Sequence, residues 1–114
     1  MRDSRERLLD ILDAIALIER YAARGREAFE RDELVQTWIV HHLLIIGEAA
    51  ASLGPDFHAQ HPAVSWKEIV AMRNVLVHHY FGIDCEEVWG VVERDLPVLK
   101  ERVTALLNQI APPR

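Results

Sequence analysis

At 114 residues, half of them hydrophobic and 27% charged, the chain is sized for a single domain, 1–114, with one core and no room for a second. Five Gly, five Pro and no low-complexity tract exclude a disordered or fibrous chain, and one cysteine, Cys85, excludes a disulfide framework or a zinc finger built on paired thiolates. The net charge of −5, from 13 basic and 18 acidic residues, is the wrong sign for a protein that coats nucleic acid through a broad positive field, though a small, locally basic site acting on RNA stays open.

Helical periodicity runs throughout and strand alternation is absent. Ser4 is placed to cap a first helix carrying Leu8, Leu9, Ile11, Leu12, Ile15, Ile18 and Ala22 on one side, with Gly25 where a helix stops. Asp32 caps a second, long helix to about Leu53, whose stripe is Leu34, Val35, Trp38, Ile39, His42, Ile45, Ile46 and Ala49. The small residues Gly47, Ala49, Ala50, Ala51 and Ser52 let a neighbouring helix come close, and Gly54-Pro55 ends this one.

The connection over 54–64 has room for one helical turn around Pro55–Gln60. Ser65-Trp-Lys-Glu68 reads as a capping box, with Ser65 bonding forward and Glu68 reaching back, for a third helix from Trp66 to about His79. Asp84-Cys-Glu-Glu87 is a second such box. It opens a last helix that buries Val88, Trp89, Val92, Leu96, Leu99, Val103, Leu106, Leu107 and Ile110, is kinked at Pro97, and stops at Pro112-Pro113. The expected fold is an all-α, up-and-down bundle of four main helices with one further short turn. The longest apolar run, Leu43–Gly47, is far below the roughly 20 residues that cross a bilayer, and the charged first residues lack the apolar stretch of a leader. A cytoplasmic protein with no membrane partner is expected.

The third helix breaks its own pattern. At about 100° per residue, Trp66, Ile69, Val70, Arg73, Val77 and Tyr80 share one apolar sector, so Arg73 points where a core residue should. An unpaired guanidinium there is costly, so a carboxylate, a bound anion or a wet cleft should face it. An Arg at a helix interface is often no more than a buried ion pair, and Glu48 is the natural partner. Asn74 and His78, four apart, share a neighbouring face and can orient each other. His78 stands about 140° around an ideal helix from Arg73, so the two converge only if the helix distorts or a second subunit brings another copy.

The stretch Met72-Arg-Asn-Val-Leu-Val-His-His-Tyr-Phe-Gly-Ile-Asp84 resembles the signature of HEPN domains, specifically the HepT family of toxins. That signature, Arg-x-x-x-x-His-x-Tyr, is met by Arg73, His78 and Tyr80, with Asn74 after the Arg as is common in the family. Ile46-Gly-Glu-Ala-Ala50, His61-Pro-x-x-x-Trp66 and Asp95-Leu-Pro-x-Leu99 look like further HepT landmarks in their usual order, so the resemblance covers about residues 5–110. It implies a homodimer whose motif helices meet at a cleft. It also implies metal-independent endoribonuclease activity, in which the RNA's own 2′-hydroxyl attacks the adjacent phosphate. Arg73 would hold that phosphate, His78 would be the general acid or base, and Asn74 would orient one or the other.

The resemblance further implies a type VII toxin–antitoxin pairing with a minimal nucleotidyltransferase (MntA-like) antitoxin. That partner would transfer AMP from ATP to Tyr80, adding charge and bulk that exclude RNA. Two other readings remain: a non-catalytic dimeric interaction module, or a nucleotide-binding partner of the nucleotidyltransferase. No cofactor and no metal is expected, since His58 and His61 lack a completing carboxylate cluster. His41 and His42 read as packing or interface residues, His79 as an auxiliary RNA contact, and Cys85 as inert because no base pairs with it.

Overall fold

The computed structural model describes residues 3–78 and 84–110, with the side chains of all but 77 and 78. Every element among them is helical. Helix α1 spans Ser4–Ala22 and buries Leu8, Ile11, Ala14, Ile15 and Ile18. Of the expected stripe, Leu9 is instead exposed and Leu12 and Ala22 are half-buried, while Ala14 turns inward. Its cap is Asp3 rather than Ser4: the Asp3 carboxylate accepts the Glu6 N–H at 2.8 Å. An anion one residue earlier suits the positive end of the helix better than a neutral hydroxyl does.

Gly25, at φ 94°, makes the expected stop and at once becomes the cap of a short helix α2, Arg26–Arg31, which the periodicity did not announce. Six residues with one buried anchor, Phe29, are too few to show a period. Phe29 packs on Trp89 with ring centroids 5.4 Å apart.

Helix α3, Glu33–Gln60, starts as expected, with Asp32 accepting from Leu34 and Val35. Its buried face is rotated slightly from the expected stripe: Leu43 is fully enclosed, whereas Leu34 in the first turn is 80% exposed. Gly54, at φ 86° and ψ 165°, breaks the helical backbone at the expected stop, and the anticipated helical turn over 55–60 follows beyond the kink. By length and composition α3 could cross a bilayer, although its longest unbroken apolar run is short. Half of its apolar window is buried inside the bundle, as befits a core helix.

Helix α4, Trp66–His78, begins with the Ser65 carbonyl accepting from Glu68 and Ile69, both at 3.1 Å. Asp84 caps α5, Cys85–Gly90, through the N–H groups of Glu86 and Glu87. In place of a kink at Pro97, a π-helical turn over Val91–Asp95 intervenes, and the Leu96 N–H bonds five residues back to Val91. Pro97 thereby falls in the opening turn of α6, Leu96–Gln109, where a missing donor costs least.

Helices α1 and α3 pack along each other, α4 also lies against α3, and α6 lies against α1. An apolar groove of about 230 Å3 separates α4 from α6, floored by Ile46, Ile69, Met72, Leu96 and Leu99. The main contact of α4 is with α3, and that contact carries the candidate site.

Candidate active site

Arg73 points at α3, as the sector analysis required, and the backbone of α3 opens to admit it. A Cβ at Gly47 would lie 2.2 Å from the Arg73 Cβ and 2.6 Å from its Cγ, so the stem of Arg73 occupies the space where any other residue at 47 would carry a side chain. The stem lies across the helix and the guanidinium emerges one residue further on, at Glu48. There Nε donates to the Glu48 Oε1 at 2.7 Å and Nη2 meets the same oxygen at 2.5 Å. On the other side Nη1 donates to the Asn74 Oδ1 at 2.7 Å.

The cluster is only partly enclosed, with the Arg73 side chain 29% and the Glu48 side chain 59% exposed. Solvent therefore screens the pair, and its worth as a stabilising contact is small. Its geometric effect is larger. Three of the five guanidinium N–H groups are engaged, which fixes the plane of the fork and leaves one N–H on each terminal nitrogen. A planar, permanently charged group with two outward donors is suited to a phosphate.

The expectation that Glu48 faces Arg73 holds, and Asn74 joins them. Asn74 accepts from Arg73 through Oδ1, and its expected mutual orientation with His78 involves a side chain outside the described residues. His78 ends α4 with its backbone in regular α-helical geometry, so the distortion that could bring it round to Arg73 within one chain does not occur by position 78. The side chain of His78 and the whole of His79 and Tyr80 lie outside the described residues.

The remaining histidines have structural partners. His42 is 6% exposed, directs Nδ1 to the Trp38 carbonyl at 2.7 Å, and packs on the Trp38 ring at 4.5 Å. His41 faces outward beside Glu48. His58 directs Nε2 to the Ala50 carbonyl at 2.7 Å and lies parallel to the Trp66 indole. His61 packs on Phe57. Among the described residues no three His, Cys, Asp or Glu side chains converge as metal ligands would. Cys85 is a half-buried free thiol at the start of α5.

Gly47, which the sequence offers as one of a small-residue cluster and within the Ile46-Gly-Glu-Ala-Ala50 landmark, has a specific role in admitting Arg73. The signal was there: a glycine in mid-helix costs roughly 1 kcal/mol against alanine, so it needs a packing reason.

The helical order and the Arg73 cluster define an all-α bundle of the HEPN type. The family model described as ribonuclease HepT-like matches residues 11–106, and the chain belongs to that family. It is similar to a Thermococcus cleftensis protein named "Probable ribonuclease HepT", 38% identical over 92% of this chain and 96% of that one. It is also similar to the Methanocaldococcus jannaschii protein named "Putative RNase MJ1380", 38% identical over 90% of this chain and 94% of that one. A third relative, "Gamma-glutamylcyclotransferase and putative RNase MJ0434" of the same organism, is 33% identical over 96% of this chain but only 50% of its own length. No solved structure matches.

Proposed function

We propose that the chain is a metal-independent endoribonuclease that works as a homodimer, with Arg73 and His78 as its catalytic residues. The observation that carries this is the Arg73 fork, held by Glu48 and Asn74 with two donors left outward, in a chain of the ribonuclease HepT-like family. Arg73 binds the scissile phosphate and neutralises the charge that builds on its oxygens. His78 takes the proton of the adjacent 2′-hydroxyl. The 2′-oxygen attacks phosphorus, the bond from phosphorus to O5′ breaks, and O5′ takes a proton from water. The products are a 2′,3′-cyclic phosphate and a 5′-hydroxyl.

Because Arg73 and His78 stand on different sides of an undistorted helix, the working pair is Arg73 of one copy with His78 of the other. We place the protein in the cytoplasm as the toxin of a type VII toxin–antitoxin pair. Its partner, a minimal nucleotidyltransferase, moves AMP from ATP to the Tyr80 hydroxyl with release of pyrophosphate. The added phosphate repels RNA from a site built to receive one.

The test is cleavage of total tRNA and of an mRNA in EDTA, wild type against His78→Ala, with the intact mass first showing Tyr80 unmodified. Cyclic-phosphate ends that disappear in the variant support the enzyme. RNA left equally intact by both proteins overturns it. That outcome favours the interaction module, a reading with its own support in the fact that Glu48 already occupies Arg73. Saturable ATP binding without RNA products would instead identify the nucleotide-binding partner.

A further inference from the structure

The side of α4 that carries Asn74 also carries Lys67, seven residues and almost two full turns earlier, with Ala71 between them. Seven residues advance about 10 Å along a helix and return to within about 20° of the same bearing, so Lys67, Ala71 and Asn74 form one row. The row borders an open cleft of about 840 Å3 whose other wall is His58, Ser65 and Trp66, with Glu68 at the rim. Lys67 is exposed, and among the described residues no carboxylate pairs with it.

His58 is held more firmly than packing alone requires. Its Nε2 is tied to the Ala50 carbonyl at 2.7 Å, and its ring lies 10° from parallel to the Trp66 indole, centroids 5.1 Å apart. Trp66 is itself fixed, 4% exposed, with its indole N–H on the His61 carbonyl at 2.8 Å. The imidazole is therefore a half-buried flat group with a rigid backing, in a cleft whose lining reaches Asn74, the residue that accepts from Arg73. A flat ring and an exposed cation along one groove are what a single strand of nucleic acid needs at each nucleotide, a surface for the base and a charge for the phosphate.

We propose that this cleft is a second nucleotide subsite, holding the residue of the RNA strand that flanks the scissile phosphate. Lys67 binds the flanking phosphate and the His58 ring, backed by Trp66, is the platform for its base. The subsite rests on the ribonuclease reading, and it explains how an acidic protein grips RNA locally without a basic surface.

The experiment measures binding of a fluorescent 2′-O-methyl RNA hexanucleotide, which cannot be cleaved, across a salt series, alongside cleavage of unmodified RNA. Lys67→Ala should weaken binding several-fold and reduce the slope of log K against log salt by about 0.7, the value for one phosphate contact on a single strand. Binding of a 2′-O-methyl dinucleoside monophosphate, whose single phosphate stands at the scissile position and which has no flanking phosphate, should not change in Lys67→Ala. His58→Ala should weaken hexanucleotide binding at least about fivefold with the salt slope unchanged, as loss of a stacked base does. Lys100→Ala, on α6 outside the cleft lining and paired with Glu19, is the control. Since His58→Ala loosens the packing on Trp66, Lys67→Ala carries the test. If it binds the hexanucleotide with wild-type affinity and slope while the wild type cleaves RNA, the subsite is wrong and the ribonuclease reading stands. If binding depends on Lys67 and the wild type never cleaves, the cleft is an RNA site and the ribonuclease reading falls. No hexanucleotide binding by the wild type overturns the subsite.

Discussion

Gly47 and Arg73 share one volume: the Cβ that α3 lacks at 47 would sit 2.2 Å from the Cβ that α4 carries at 73. The helix–helix contact and the placement of the guanidinium are thus one structural fact. Gly47→Ala should be disruptive despite the helix preference of alanine, worth about 1 kcal/mol. The obstacle is the Arg73 stem next to its own backbone, so the helices must separate, at a typical overpacking cost of about 1–3 kcal/mol. The expected result is a melting temperature lower by several degrees, together with at least a tenfold fall in cleavage by the protein that remains folded. A variant as stable and as active as the wild type would remove the close approach as a determinant of the site.

Glu48 separates stability from activity in the opposite sense. An ion pair this exposed contributes about 0–1 kcal/mol, so Glu48→Ala should barely move the melting curve. Single-turnover cleavage should fall tenfold or more, because the fork of Arg73 loses the oxygen that holds its Nε edge. Glu48→Gln keeps an acceptor there and should recover much of the loss. If Glu48→Ala lowers stability and leaves the rate alone, the pair is only structural.

Two histidines give a matched contrast. His42 is enclosed between Trp38 and the core and is tied to a backbone carbonyl. His42→Ala should cost about 2–4 kcal/mol of stability through the lost ring and the bond it made. The cleavage rate per folded molecule should be unchanged. His78→Ala should do the reverse, abolishing cleavage with little change in the denaturant midpoint. Chemical denaturation and active-site-normalised rates on the two variants decide it.

The residues that were legible in advance are those whose neighbours lie within a turn or two. Asp32 and Asp84 cap the helices they precede, and Leu8, Ile11, Ile15 and Ile18 of the α1 stripe are buried while its edge residue Leu9 is not. The partnership of Arg73 with Glu48 was also accessible, because a cation in an apolar sector demands a carboxylate and few were available. Three features were not legible. Helix α2 hangs on Phe29, whose partner Trp89 lies 60 residues away, and periodicity does not register a single anchor. The π turn before Pro97 depends on how α5 and α6 together meet the core, whereas proline chemistry alone says only that a donor is missing. The Gly47 contact joins positions 26 residues apart, and sequence marks only its cost.

The pairing of Arg73 with His78 across two copies can be tested without a structure of the dimer. Arg73→Ala and His78→Ala should each be inactive alone. In a mixed dimer the first chain keeps its His78 and the second its Arg73, so one of the two cross-chain pairs is whole while neither chain has both groups. If subunits exchange freely, half of the dimers are mixed and each has one working pair, so the mixture should recover about a quarter of wild-type cleavage. A site contained within one chain predicts no recovery at any ratio. A second arm is solution scattering at micromolar concentration, where a monomer that still cleaves RNA would rule out the cross-chain site. Recovery on mixing would then explain why α4 stays regular through His78: within one chain the helix has no need to bring the two groups together.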